Sequence, residues 1–150
     1  MDLQSLYNAL KKETELDHID WQYLLKFSRK WKFSIVDSLL DLNYINEVKL
    51  AKILSKLHKT PYIASSEISI DYQAINLDNF DDLIIVGAIP IKKFKLVICN
   101  PYDDHHGYLG NHFCEREMAI TERSAIMSNL RTKGLDYISN EMQAGEKKLI

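Results

Sequence analysis

The sequence is short of the features that announce most functions. It holds two cysteines, Cys99 and Cys114, in 150 residues. That is too few for a secreted disulfide framework, so a reducing cytoplasmic setting is the simpler reading. No apolar run approaches the roughly 18–20 residues that span a bilayer, and the opening MDLQSLYNALKKETE is acidic and amphipathic rather than signal-like. Charge of one sign is not in excess: 19 basic and 21 acidic residues give a formal net charge of -2. The basic pairs Lys11-Lys12, Lys92-Lys93 and Lys147-Lys148 are scattered, and no nucleic-acid partner is expected. Glycine is scarce, and its five positions (87, 107, 110, 134 and 145) never form the spacing that closes backbone amides around a phosphate. Neither a G-x-S-x-G elbow nor an H-E-x-x-H helix occurs. The chain is therefore expected to be no enzyme and to need no cofactor.

What is present is helical period in the first half. Leu3, Leu6, Tyr7 and Leu10 share one face behind Asp2 as a cap, and a second helix starts at the cap Asp17 and carries Ile19, Trp21, Leu24, Leu25 and Phe27 to a basic end. A third runs from Ser34 through Ile35, Leu39 and Leu40 until Asn43-Tyr44 breaks it. Asn46 caps a fourth, with Val48, Leu50, Ile53, Leu54 and Leu57 as its stripe, which ends near Lys59 before Pro61. The two pairs match at an offset of 29 residues: Leu6 with Ile35, Leu10 with Leu39, Leu16 with Ile45, Trp21 with Leu50, and Leu24-Leu25 with Ile53-Leu54. The caps Asp17 and Asn46 coincide in the same register, which favours a true repeat over shared core patterning.

Beyond Pro61 the runs are short and extended. Tyr62 to Ala64 is a candidate strand, and Ala88 to Ile91 with Lys95 to Cys99 reads as a hairpin whose Pro90 calls for an edge position or for a nitrogen facing away from the partner strand. Glu117 to Ile120 adds a third strand, Thr121 is placed to cap a last helix, and Gly134 to stop it. Leu83 to Val86 fits a strand or a helix turn. The expected class is α+β: a helical part of two repeated helix pairs over residues 1–60, a small sheet with flanking helices over 61–143, and a flexible tail over 144–150.

Two clusters carry possible chemistry. His105, His106, His112 and Cys114, beside Asp103 and Asp104, are the ligand types of a transition-metal site. Their spacing fits a polar surface loop better, because adjacent histidines point apart and His112-x-Cys114 is tighter than a structural zinc pair. Trp21, Trp31 and Phe33 are expected in the core, with anchoring of a partner helix as the alternative.

Taken in order, IVDSLLDLNYINEVKLAKIL, KTPYI, ISIDYQAINL, GAIPI, KLVICNPYD and EREMAITERSAI resemble the N-terminal domain of the type II secretion and type IV pilus assembly ATPases. The resemblance covers roughly residues 3 to 140. It implies that Leu83 to Gly87 is a helix end, that the domain hydrolyses no ATP itself, and that it docks on an inner-membrane platform or accessory component of a secretion or pilus machine. A subset of that family carries the helical motif twice and binds cyclic di-GMP with it, through an Arg-Leu-Gly triplet, a mid-motif Gly and a terminal Gln in each copy. The matching positions here are Ser5-Leu6-Tyr7 and Ser34-Ile35-Val36, then Thr14 and Asn43, then Ser28 and Leu57. Of these, Ser34, Ile35, Val36 and Asn43 are the ligand-binding candidates. The missing Arg and the added bulk at Tyr7 and Val36 weigh against cyclic di-GMP, so docking without it is the expectation, with a cyclic-di-GMP or other nucleotide-sensing module of diverged motif as the alternative.

Overall fold

The computed structural model describes residues 3–102 and 107–149, with side chains through residue 144. Four helices come first: α1 (Leu3–Glu13), α2 (His18–Trp31), α3 (Ile35–Asp41) and α4 (Glu47–Leu57). Asp17 and Asn46, the caps named from the sequence for α2 and α4, work as such. Asp17 accepts from the Asp20 amide at 2.8 Å and Asn46 from the Lys49 amide at 2.8 Å, satisfying donors that a helix start leaves unpaired. Asp2 lies outside the described residues. α1 packs on α4 and α2 on α3, so the two copies interlock rather than stack as separate hairpins. Leu6, Leu10, Leu16, Trp21 and Leu24 are buried, as are their 29-residue counterparts Ile35, Leu39, Ile45, Leu50 and Ile53.

The second half begins with two 3-10 turns, continues through α5 (Leu77–Val86), and lays down β1 (Ala88–Ile91), β2 (Lys95–Ile98) and β3 (Glu117–Ile120), with α6 (Tyr108–His112) before β3. The sheet order is β1-β2-β3, the first pair antiparallel and the second parallel. Leu83 to Val86 is helical, as the family resemblance implies. Tyr62 forms a single bridge to Ile120, with the Ile63 amide donating to the Ile120 carbonyl at 2.9 Å and the Ile120 amide to the Pro61 carbonyl at 2.8 Å. The helical half is thus stitched to the sheet directly behind α4. β1 is an edge strand, as Pro90 allows, but its outer side is covered. The Asp71 amide donates to the Pro90 carbonyl and the Lys92 amide to the Ser69 carbonyl. The outer side of β1 near Pro90 is therefore not an open sheet edge.

The C-terminal helices depart from the sequence reading in two places. α7 (Arg123–Asn129) is preceded by Glu122, not Thr121, at the cap position, because the Thr121 hydroxyl donates to the Glu122 carboxylate instead. Gly134 does not end the helix. A π-helical turn, Leu130–Gly134, carries the chain into α8 (Leu135–Leu149), and the backbone stays helical through residues 144–149. Gly134 serves close approach: a Cβ there would lie 3.3 Å from the Phe80 ring of α5.

Candidate functional site at the repeated helix pairs

The positions named from the repeat have separate fates. Ser34 caps α3, its hydroxyl accepting from the Asp37 amide at 3.0 Å and donating to the Asp37 carboxylate at 2.9 Å. Ile35 and Val36 point into the core, as do Leu6 and Tyr7 of the first copy, Tyr7 stacking on Trp21 at 5.2 Å. Asn43 is exposed and takes the left-handed backbone, φ 59°. That is the conformation for which glycine is the default, and Asn tolerates it better than most residues. Its counterpart Thr14 instead donates its hydroxyl to the Leu10 carbonyl at 2.7 Å and accepts from the Leu16 amide.

Two adjoining cavities open along the α1/α4 seam, of about 450 and 300 Å³, and both are lined by Lys12 and Glu13. The first adds Thr14, Glu15, Tyr44, Asn46 and Lys49; the second adds Ile53, Lys56 and Leu57. The seam therefore unites the mid-motif position of copy one, Thr14, with the terminal position of copy two, Leu57. Lys49 ties the seam shut at one point, its ammonium donating to the Glu13 carbonyl. Three lysines, two carboxylates and one tyrosine in a cleft provide groups for phosphates, for purine donor edges and for a base face.

A third cavity, about 530 Å³, lies where the start of α3 meets α5 and α7, and Ser34, Asp37, Asp41, Cys99 and Arg123 line it. Arg123 donates to Asp37 at 2.7 Å and to Asp41 at 3.0 Å. Burial alone would lower the pKa of its guanidinium, but the two carboxylates outweigh burial and hold it above its ordinary value. Glu47 completes the clasp by accepting from the Ser124 amide at 3.1 Å and hydroxyl at 2.6 Å, a cap for α7 supplied from another helix. Arg123 is committed to these acids, and the second copy is fastened to the C-terminal half through it. Burial pushes the nearby Cys99 thiol up to about 12, so it stays protonated and inert at neutral pH.

The metal cluster named from sequence is not assembled by what the structure describes. His105 and His106 lie outside the described residues. His112 is exposed, with Nδ1 3.0 Å from the Tyr108 carbonyl oxygen and its ring stacked on Tyr108, and Cys114 is exposed too. Among the described residues no three His, Cys, Asp or Glu side chains are grouped to hold a metal ion. Of the three aromatics expected in the core, Trp21 is there, whereas Trp31 and Phe33 are about half exposed.

Sequence reasoning missed Arg116. Its guanidinium, nearly buried, donates to Asp71 at 2.7 Å and to the Ile91 and Lys95 carbonyls at 3.2 Å, closing the mouth of the β1–β2 hairpin. No local pattern marks it, since its partners lie 21 to 45 residues away.

A duplicated, interlocked helix pair joined to a small mixed sheet with flanking helices defines the class: an α+β domain. No protein-family model matches the chain and no curated protein matches it. Among solved structures, "Structure of MshE with cdg" is similar over 83% of this chain and 94% of that one, with a TM-score of 0.61 and 18% sequence identity. The likeness is one of fold. It nonetheless corrects the expectation against cyclic di-GMP, because the fold is that of a protein solved with this dinucleotide, and that expectation rested on residue types at six sequence positions. Asn43 keeps the left-handed backbone, and Lys12, Lys49 and Lys56 bring cations to the seam. Among the described residues no helix is long and apolar enough to cross a membrane.

Proposed function

We propose that this chain is a regulatory domain of the kind that precedes secretion and pilus-assembly ATPases, with a cyclic dinucleotide as its input and docking on an envelope machine as its output. The observation that carries the reading is the duplicated helix pair, matched at caps and core, in a fold shared with a protein solved with cyclic di-GMP. The α1/α4 seam suits such a ligand: Lys12, Lys49 and Lys56 face its phosphates, Glu13 and Glu15 accept from the guanine edge, and Tyr44 offers a ring. The clasp of Arg123 and Glu47 then relays a shift of the repeat to α7 and the sheet.

Titration calorimetry of the chain with cyclic di-GMP tests the input. Saturable binding that is lost in the Lys12→Glu/Lys56→Glu double variant, and not competed by GTP, is expected. No heat, together with no shift in melting temperature at millimolar ligand, overturns it.

A further inference from the structure

α2 shows solvent a row of side chains at four-residue steps: Ile19, Tyr23, Phe27 and Trp31. Each four-residue step turns about 40° around a helix, so the row winds gradually along α2, from the side away from the buried Trp21 at Ile19 and Tyr23 to the border of the Leu24 stripe at Phe27 and Trp31. It is continuous, with ring centroids 6.4 Å apart from Tyr23 to Phe27 and 6.5 Å from Phe27 to Trp31, and Phe33 joins it at 6.1 Å from Phe27. Tyr23, Trp31 and Phe33 are 54, 55 and 48% exposed. Single exposed apolar residues need no explanation, but a contiguous aromatic row marks a contact surface.

Its charge indicates which surface. From Trp21 to Val36 there is no acidic residue, while Lys26, Arg29, Lys30 and Lys32 are all exposed. Lys26 and Lys30, themselves four residues apart, flank the aromatic row, and the Lys30 ammonium lies 5.3 Å from the Trp31 ring centroid. Past the helix end, Lys32 and Phe33 share their cavity wall with Arg131 and with Ile85, which is exposed. This side of α2 carries Trp and Tyr among lysines whose stems can lie along apolar surface with their heads outside it. That is the composition of a face lying in a lipid interface.

We propose that the outward face of α2 docks on an anionic lipid surface, Tyr23, Phe27, Trp31 and Phe33 entering the interface and Lys26, Lys30 and Lys32 pairing with headgroups. The contact is independent of the cyclic-dinucleotide reading, since it uses none of the seam residues.

Co-sedimentation of the chain with phosphatidylcholine vesicles, with and without about 30% phosphatidylglycerol, tests it. The expected result is binding to the anionic vesicles alone, at about 0.1 M salt, that is lost at about 1 M. Trp31 emission should shift to the blue on binding while the buried Trp21 gives a constant background. Lys30→Glu should weaken partition at least about fivefold, and Trp31→Ser about tenfold, both with an unchanged melting temperature because the side chains are exposed. Absence of binding to anionic vesicles at low salt overturns the proposal, as does equal binding by wild type and both variants. Binding to an acidic amphipathic peptide but not to vesicles also overturns it and reassigns the face to a protein partner.

Discussion

Replacing Tyr62 with Phe removes one oxygen from the joint between the helical half and the sheet, and its cost follows from the structure. The Tyr62 hydroxyl donates to Glu122 Oε1 at 2.5 Å, and the Thr121 hydroxyl holds the other carboxylate oxygen at 2.6 Å. Glu122 is only 8% exposed, so water replaces the lost donor poorly. A hydrogen bond to a charged group contributes about 1.5–3 kcal/mol, and some residual access to solvent argues for the lower half, about 1.5–2 kcal/mol. For a chain of this size that lowers the melting temperature by about 3–8 °C. The pH dependence is the more discriminating part. Burial pushes the Glu122 carboxyl up, but hydrogen bonds from Thr121 and Tyr62, with backbone bonding and Lys52, pull it below its ordinary value. A depressed carboxyl gives stability that is present above the unfolded value, about 4.3, and lost as pH falls through the folded one. Tyr62→Phe weakens the depression, so the gap between wild type and variant should narrow on acidification below about pH 4. At the alkaline end, burial foremost and then the Glu122 bond raise the Tyr62 hydroxyl to about 12. Its contribution is full below the unfolded value of about 10 and fades as pH rises through the folded value. Urea unfolding of both proteins from pH 3 to 11 reads the plateau and the onset of the alkaline loss. A difference below about 0.5 kcal/mol at pH 7, or one that does not change with pH, would refute the reasoning.

Other substitutions test separate links. Gly87→Ala forces a Cβ at φ +76° to within 2.9 Å of Cys99 Sγ and should cost about 2–4 kcal/mol in urea unfolding, of which adding Cys99→Ala returns the steric part. Asp17→Ala and Asn46→Ala should each cost about 1 kcal/mol by the same measurement, and the double variant their sum, because the two caps share no partner. Asn43→Val should cost about 1–2 kcal/mol while Asn43→Gly stays within a few tenths of wild type, as the left-handed backbone at φ 59° demands. Thermal melts separate the two outcomes.

Local chemistry was legible and remote chemistry was not. Asp17 and Asn46 could be named as caps because a cap acts on amides three residues away, and the buried repeat because apolar period is written along the chain. The β1–β2 hairpin was legible for the same reason. Leu83 to Val86 stayed ambiguous by period, since a four-residue apolar run suits either structure, and only the family resemblance assigned it to a helix. Gly134 was misread because its reason for being glycine is the Phe80 ring, far off in sequence. Thr121 was misread because Glu122 takes its hydroxyl, a competition no cap rule anticipates. At the candidate site, Arg123 and Glu47 left no signal, as their partners lie 77 to 86 residues away. The expectation against cyclic di-GMP compared residue types position by position, whereas the likeness that overturns it is one of fold, at 18% sequence identity.

The repeat is also imperfect in a way that separates the two surfaces. The N-caps of α2 and α4 are 29 residues apart, but their left-handed ends, Lys32 at φ 57° and Lys59 at φ 53°, are 27 apart. The same closure follows each: the amide of Phe33 or Thr60 donates to the carbonyl of Ser28 or Ser55, and that serine hydroxyl donates back to the Phe33 or Thr60 carbonyl. The span from N-cap to left-handed residue is therefore longer by two residues in copy one, with its end chemistry intact. In copy two the next residues, Pro61 and Tyr62, pair with β3 and anchor the sheet. In copy one Phe33 passes straight to the Ser34 cap and stays at the surface beside Trp31. One closure motif thus serves burial in one copy and exposure in the other. The longer helix carries Trp31 and Lys32 past the packed region, which is why the aromatic and basic face belongs to α2 and has no equivalent on α4.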